Sequence, residues 1–382
     1  AFVAYQLVSL QNSLNDQPYS LNGLCETLYK QKSYKDSSLC YNSLAELIDS
    51  RDQLGMVYFR SAMAELKISD DITKLINDFS RIEDAFPGTE AGFRAAVKKT
   101  DLRFLSRKDW STTAVKYYQA LAEKSIYREV SAEAYFKEAL LYHFSGNNSK
   151  SIELTHTLLR NFRSGPVRTS AEALLIQLLP DELKQLVEKK RYTDALALAR
   201  QHRRFFENNW LDITLLADLG YSYHQLGIYS DALRLYLYLM EIASPQEKEQ
   251  YFLPLTQIAY DKGDFDLVQD YATQYGYHYP DGNFKEEILY LQLESLLAGN
   301  HIDQAMNLIP EPLPDRDSYK FLSAELFFRK DDYQSVVSTL KPFWNQHIPL
   351  SENLTFILAE SLFLLGNSTE AEPLYMESKK VD

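Results

Sequence analysis

Residues 215–245 read LLADLGYSYHQLGIYSDALRLYLYLMEIASP, and this stretch decides the fold. Apolar residues recur at helical spacing on both sides of Gly227, so the segment predicts two helices joined by a short turn. Leu219, Gly220 and Tyr223 fall on the first helix, Gly227 and Tyr229 in the turn, and Ala232 and Tyr236 on the second. Gly220 and Ala232 are small and allow two antiparallel helices to approach closely. Tyr223, Tyr229 and Tyr236 would fill the space around that contact. Pro245, which cannot continue a helix, is expected to end the second one.

The turn and the small residue after it can be followed outward in both directions. A turn residue, two spacers and a small or apolar residue recur as Tyr34/Ser37, Ile72/Leu75, Trp110/Thr113, Asn148/Ser151 and Tyr192/Ala195. They continue as Tyr229/Ala232, Phe265/Val268, Ile302/Ala305, Tyr333/Val336 and Ser368/Ala371. Subtracting successive second members gives spacings of 38, 38, 38, 44, 37, 36, 37, 31 and 35 residues. GDFDLV, DDYQSV and GNSTEA stand where GIYSDA stands in the central unit. A period of this length is the mark of a repeat architecture in which each unit buries its apolar face on its neighbours.

The central unit resembles the tetratricopeptide (TPR) consensus. The resemblance implies an all-α fold, an α–α superhelical solenoid of about ten TPR-like helix pairs. It also implies that the first helix of each pair lines a concave, protein-binding face. On that reading the face presents Tyr221, His224 and Gln225 with Ala217, then Gln257, Tyr260 and Asp261, then Glu325, Phe328 and Arg329, then Glu360 and Phe363 with Phe356. Glu26, Tyr29 and Lys30 correspond in the first unit. Aromatic groups there suit an extended peptide or a helix. The Lys/Asn/Arg clamp of the chaperone-binding subclass is absent from the matching positions.

Two proline-marked stretches interrupt the period. Gly165-Pro166 breaks one helix, and Pro180 is expected to break or start another; Pro310, Pro312 and Pro314 crowd the second. The chain is accordingly divided into an N-terminal arm, 1–179, with divergent repeats, and a C-terminal arm, 180–382, with better-formed ones, within one continuous solenoid. DAFPGTEAGFRAA (84–96) and HYPDGNFKEE (278–287) have the Tyr/Phe-Pro turn that resembles TPR proteins of the bacterial cell envelope.

Composition bounds the function. Of 382 residues, 45% are apolar and 24% charged, which is the balance of a folded chain, and only 13 Gly and 13 Pro favour helices. The net charge of −13 disfavours nucleic acid or an anionic membrane as partner. Two segments are basic against this background: 94–108, and 189–206 with Lys189, Lys190, Arg191, Arg200, Arg203 and Arg204, a candidate docking patch for an acidic protein surface. No apolar run reaches the roughly 18 residues of a membrane span. The absence of an initial Met suggests a processed chain or a piece of a longer one, and the apolar start, AFVAYQLVSL, suggests either that the protein continues beyond one end or that an end docks on a partner.

No phosphate loop, dinucleotide fingerprint, HExxH or GxSxG motif is present. The seven histidines are not paired at metal-ligand spacing. Asp70-Asp71, Glu286-Glu287 and Asp331-Asp332 read as helix-start carboxylates. Cys25 and Cys40, on the two helices of the first unit, read as small core hydrophobes, with a disulfide between those helices as the alternative. The expectation is a protein with no enzymatic activity, no cofactor and no metal, serving as a scaffold or adaptor that binds other proteins. Its expected place is the periplasm or envelope, with a cytoplasmic peptide-binding regulator or chaperone as the alternative.

Overall fold

A computed structural model describes residues 17–208, 211–310 and 312–378. The apolar stretch at the start of the chain lies outside the described residues. Among those residues there are 21 α-helices, one 3-10 turn and no strand.

The helices fall into ten consecutive pairs. In the first unit, Ala1–Glu182, these are α1 (Gln17–Lys30) with α2 (Tyr34–Ala45), α3 (Arg51–Glu65) with α4 (Ile72–Ala85), α5 (Glu90–Arg103) with α6 (Thr112–Lys124), and α7 (Arg128–Phe144) with α8 (Asn148–Asn161). Helix α9 (Pro166–Glu188) pairs with α10 (Tyr192–Gln201), and the division between the two units falls within α9. The second unit, Leu183–Asp382, adds a five-residue helix α11 (Arg203–Glu207). Its further pairs are α12 (Leu215–Gln225) with α13 (Tyr229–Ile242), α14 (Pro245–Asp261) with α15 (Phe265–His278), α16 (Lys285–Ala298) with α17 (Ile302–Leu308), α18 (Asp317–Arg329) with α19 (Tyr333–Asn345), and α20 (Glu352–Leu364) with α21 (Ser368–Ser378).

Eight of the ten pairs turn in the same way. Lys32, Gly146, Lys190, Gly227, Gly263, Asn300, Asp331 and Gly366 each have positive φ, and each stands two residues before its second helix. The next residue's N–H reaches back five residues, as from Ser33 to Leu28 (3.0 Å), Ile228 to Tyr223 (2.9 Å) and Asp332 to Phe327 (2.9 Å). That is the left-handed helix stop with its 6→1 bond. It sets the register of the second helix, because the buried residue always follows the left-handed one by five positions. Ser37, Ser151, Ala195, Ala232, Val268, Ala305 and Val336 are fully buried, and Ala371 is nearly so. Where that residue is serine, its hydroxyl donates to a carbonyl of the first helix: Ser37 to Cys25 (3.0 Å) and Ser151 to Ala139 (2.8 Å).

Four expectations are corrected. Thr113 is exposed and Ala114 is buried in its stead, because the connection in this pair runs one residue longer from its left-handed residue, Lys108. Trp110 leaves the turn register and stacks on Phe144, with ring centroids 4.6 Å apart. Pro245 does not end α13; it is the first residue of α14, where Ser244 and Glu247 form a capping box. Pro180 neither breaks nor starts a helix and lies inside α9. Cys25 and Cys40 are joined as a disulfide between α1 and α2, so the alternative to two free core thiols holds.

Close approach in the central unit is between a glycine and a ring. A Cβ on Gly220 would lie 2.9 Å from the Tyr236 ring, whose hydroxyl donates to the Ala217 carbonyl (3.2 Å). In the Phe-Pro connection, Thr89 caps α5 by accepting from the Gly92 N–H (3.2 Å) while donating to the Phe86 carbonyl (2.8 Å). Asp71 and Asp332 cap α4 and α19 by accepting from the Lys74 and Ser335 N–H (2.9 and 3.1 Å). Glu286 and Glu287 sit in the first turn of α16 and also pair with Arg316 (3.2 and 3.0 Å). No helix among the described residues is long and apolar enough to cross a membrane.

Candidate protein-binding groove

The shared turn brings equivalent positions of the first helices into line. Counted back from the buried residue of each second helix, Tyr221, Gln257, Glu294, Glu325 and Glu360 occupy one position, and His224, Tyr260, Leu297, Phe328 and Phe363 another. Within the second unit, α12, α14 and α16 and the start of α18 enclose an open groove of about 530 Å3. Tyr221, His224, Gln225 and Gln257 line it, together with Leu253, Pro254, Tyr290, Glu294 and Arg316. The last five carry no mark in the sequence reading. Glu294 could have been found by counting eleven residues back from Ala305, as Tyr221 stands to Ala232 and Gln257 to Val268.

Polar groups along the groove hold one another. His224 Nε2 lies 2.6 Å from Asp261 Oδ2, and the Gln257 amide donates to Asp261 Oδ1 (3.0 Å). The His224 side chain is only 10% exposed, so this bond fixes the ring against the groove wall. The Tyr290 hydroxyl donates to Glu294 (2.5 Å). Burial, and then the Glu294 carboxylate, push the Tyr290 phenol above its ordinary range; Tyr260 moves in the same direction for the same reasons.

Of the remaining expected residues, Tyr260 and Asp261 lie at the end of α14 and the others on α18 and α20, all outside the lining of this groove. Glu325 accepts from the Asn353 amide (2.9 Å), Phe328 packs edge-on against Tyr333, and Arg329 is exposed. Glu360 accepts from the Tyr375 hydroxyl, and burial followed by that bond pushes the Tyr375 phenol up to about 12. Phe356 and Phe363 are about half exposed. In the first pair Glu26 and Lys30 form an ion pair at 2.9 Å, and Tyr29 packs on Tyr34.

The six basic residues do not form one patch. Lys189, Lys190 and Arg191 occupy the turn before α10, while Arg200, Arg203 and Arg204 lie at and beyond its other end. Ten residues of helix separate the two groups by about 15 Å. Arg191 pairs with Asp194 (2.7 Å), Arg203 with Glu207 (2.6 Å), and the Arg204 guanidinium stands 5.0 Å from the Phe205 ring centre. In the other basic segment, three of the six cations are paired. Arg94 meets Glu90 and Glu129, Lys98 meets Glu133 (2.7 Å), and Lys99 meets Glu83.

One buried carboxyl belongs to neither surface. Glu138, on α7, is 4% exposed, and its Oε2 has no hydrogen-bond partner. Burial pushes its carboxyl up to about 7, against the attraction of Lys150.

No family model matches the chain, and no curated protein matches it. Among solved structures, yeast Tom70 is similar at 13% identity and a TM-score of 0.36, covering 97% of this chain and 93% of that one. A tetratricopeptide repeat protein from Parabacteroides merdae is similar at 12% identity and a TM-score of 0.34, covering 71% of this chain and 98% of that one. The TPR2AB domain of yeast Sti1, in a complex with pHSP90, is similar at 12% identity and a TM-score of 0.28, covering 85% and 98%. With likeness this low, the TPR-like architecture rests on the ten helix pairs and their turns.

The Glu138 environment makes stability depend on pH. Its carboxyl rises from 4.5 to about 7 on folding, so the folded chain holds the proton more tightly. The resulting stabilisation is complete below pH 4.5 and is lost as pH rises through 7, a difference of about 3 kcal/mol. Glu138→Gln is expected to remove that loss in urea titrations of the chain between pH 5 and 8. An identical pH profile for both proteins would show that Glu138 is ionised in the fold.

Proposed function

We propose that this chain is a non-catalytic interaction scaffold or adaptor that holds a segment of another protein along the first helices of its second unit. The observation that carries the reading is the open groove lined by equivalent positions of consecutive pairs, with exposed Tyr221 beside fixed polar groups at His224, Gln257 and Asp261. Aromatic side chains offer large contact area with few torsions to freeze, and pre-bonded polar groups lose little freedom on binding. A photo-crosslinking residue at Tyr221 or Gln225 is expected to give a discrete protein adduct in native cells. The same residue at Leu237, exposed on the second helix of that pair, is expected to give none. An adduct from Leu237 with none from Tyr221 would place binding elsewhere.

We further propose that the assembly it serves belongs to the bacterial cell envelope: a secretion system, pilus, flagellar motor or outer-membrane assembly machine. Two features support this. The Phe86-Pro87 connection resembles that of envelope TPR proteins, and Cys25 and Cys40 form a disulfide, a bond that persists in oxidising compartments. Alkylation of protein trapped from its native cells tests the compartment. Both cysteines should resist alkylation until reduced; two reactive thiols would favour the cytoplasmic regulator or chaperone.

A further inference from the structure

The groove and the helices that continue it carry negative charge that the fold leaves uncompensated. Glu294, Glu325 and Glu360 hold the same position on α16, α18 and α20. Each carboxylate is fixed by a neutral donor: Tyr290, Asn353 and Tyr375 respectively. Among the described residues none of the three forms an ion pair, although nearby surface carboxylates do, as Glu287 does with Arg316 and Glu370 with Lys341. Arg329 stands one turn beyond Glu325 without pairing with it, and Arg316 is taken up by Glu286 and Glu287. A neutral hydrogen bond orients a carboxylate while leaving its charge intact. Three such groups in file make a surface complementary to cations. The aromatic rings of Tyr290 and Phe328 lie on the same helices, and ring faces also favour a cation.

We propose that the segment held by this surface is an extended, basic one, with lysine or arginine side chains meeting Glu294, Glu325 and Glu360 in turn. The proposal rests on the reading of the groove as a protein-binding site. It adds the chemistry of what is bound. Neighbouring helices pack roughly 10 Å apart and an extended chain advances about 3.3 Å per residue, so successive cations fall at every third residue.

Fluorescence anisotropy with the full 382-residue chain tests this. Three peptides are compared: Phe-containing with Lys at every third position, the same residues with the lysines contiguous, and the first with Glu for Lys. The spaced Lys peptide should bind tightest, weaken as salt rises, and lose at least tenfold in affinity for the variant Glu294→Gln/Glu325→Gln/Glu360→Gln. Glutamine accepts the same hydrogen bonds, so the fold should be retained, and an unchanged circular dichroism spectrum checks it. Equal binding of the Glu peptide, or unchanged affinity in the triple variant, overturns the proposal. Crosslinking from Tyr221 separates the two readings. An adduct that persists in the triple variant leaves the groove in place and removes its basic ligand, whereas no adduct in the unsubstituted chain removes the groove itself.

Discussion

The left-handed residue that ends the first helix of a pair is the constraint on which the rest depends. Five positions later comes the residue that must pack against the first helix with no room for water, and the 6→1 bond fixes that interval. Four of these eight positions are glycine, which takes positive φ without a Cβ penalty. Asn300 and Asp331 are of the types that tolerate this conformation best, and at Lys32 and Lys190 the chain accepts the penalty, about 1–2 kcal/mol each. Packing at the buried position therefore outweighs local backbone preference. Where the connection is longer by one residue, at Lys108, the buried position moves by one residue with it, from Thr113 to Ala114.

The proposed binding surface follows from the same interval. If each turn places its second helix in one register, it also places the first helix's opposite face in register with its neighbours. Tyr221, Gln257 and Glu294 come together because they are one position repeated. The groove's polar groups are then tied down by local bonds, His224 and Gln257 both reaching Asp261. A partner bound there, as proposed, would meet polar side chains already ordered.

The repeat was readable in the sequence because the buried small residue and the glycine turn are chemically distinctive. GIYSDA, GDFDLV and GNSTEA announce both. Lysine at 32 and 190 announces neither, since nothing in its chemistry asks for positive φ. The prolines were harder to read. Pro180 inside α9 and Pro254 inside α14 are tolerated by helices held through packing, and Pro245 marks a beginning because Ser244 and Glu247 cap around it. On the proposed binding face, Tyr221, His224, Gln225 and Gln257 could be placed because the central unit's TPR resemblance implies which helix lines that face. Glu294 was legible too, eleven residues before Ala305 as Tyr221 is before Ala232, whereas Tyr290, at the position of Ala217 and Leu253 in the preceding pairs, carries no repeated signal. The basic segments looked like patches in one dimension. In three, one group is divided by a helix length, and Arg94, Lys98 and Lys99 of the other are answered by neighbouring carboxylates.

Hydrogen exchange on Gly227→Val, read peptide by peptide, tests the central claim most directly. A β-branched residue cannot readily take the positive φ required at 227. If each turn specifies its own pair, protection will fall in α12 and α13, less in α10 and α14, and remain unchanged in α18 to α21. Uniform loss across the second unit, or no loss in α12 and α13, would contradict the account.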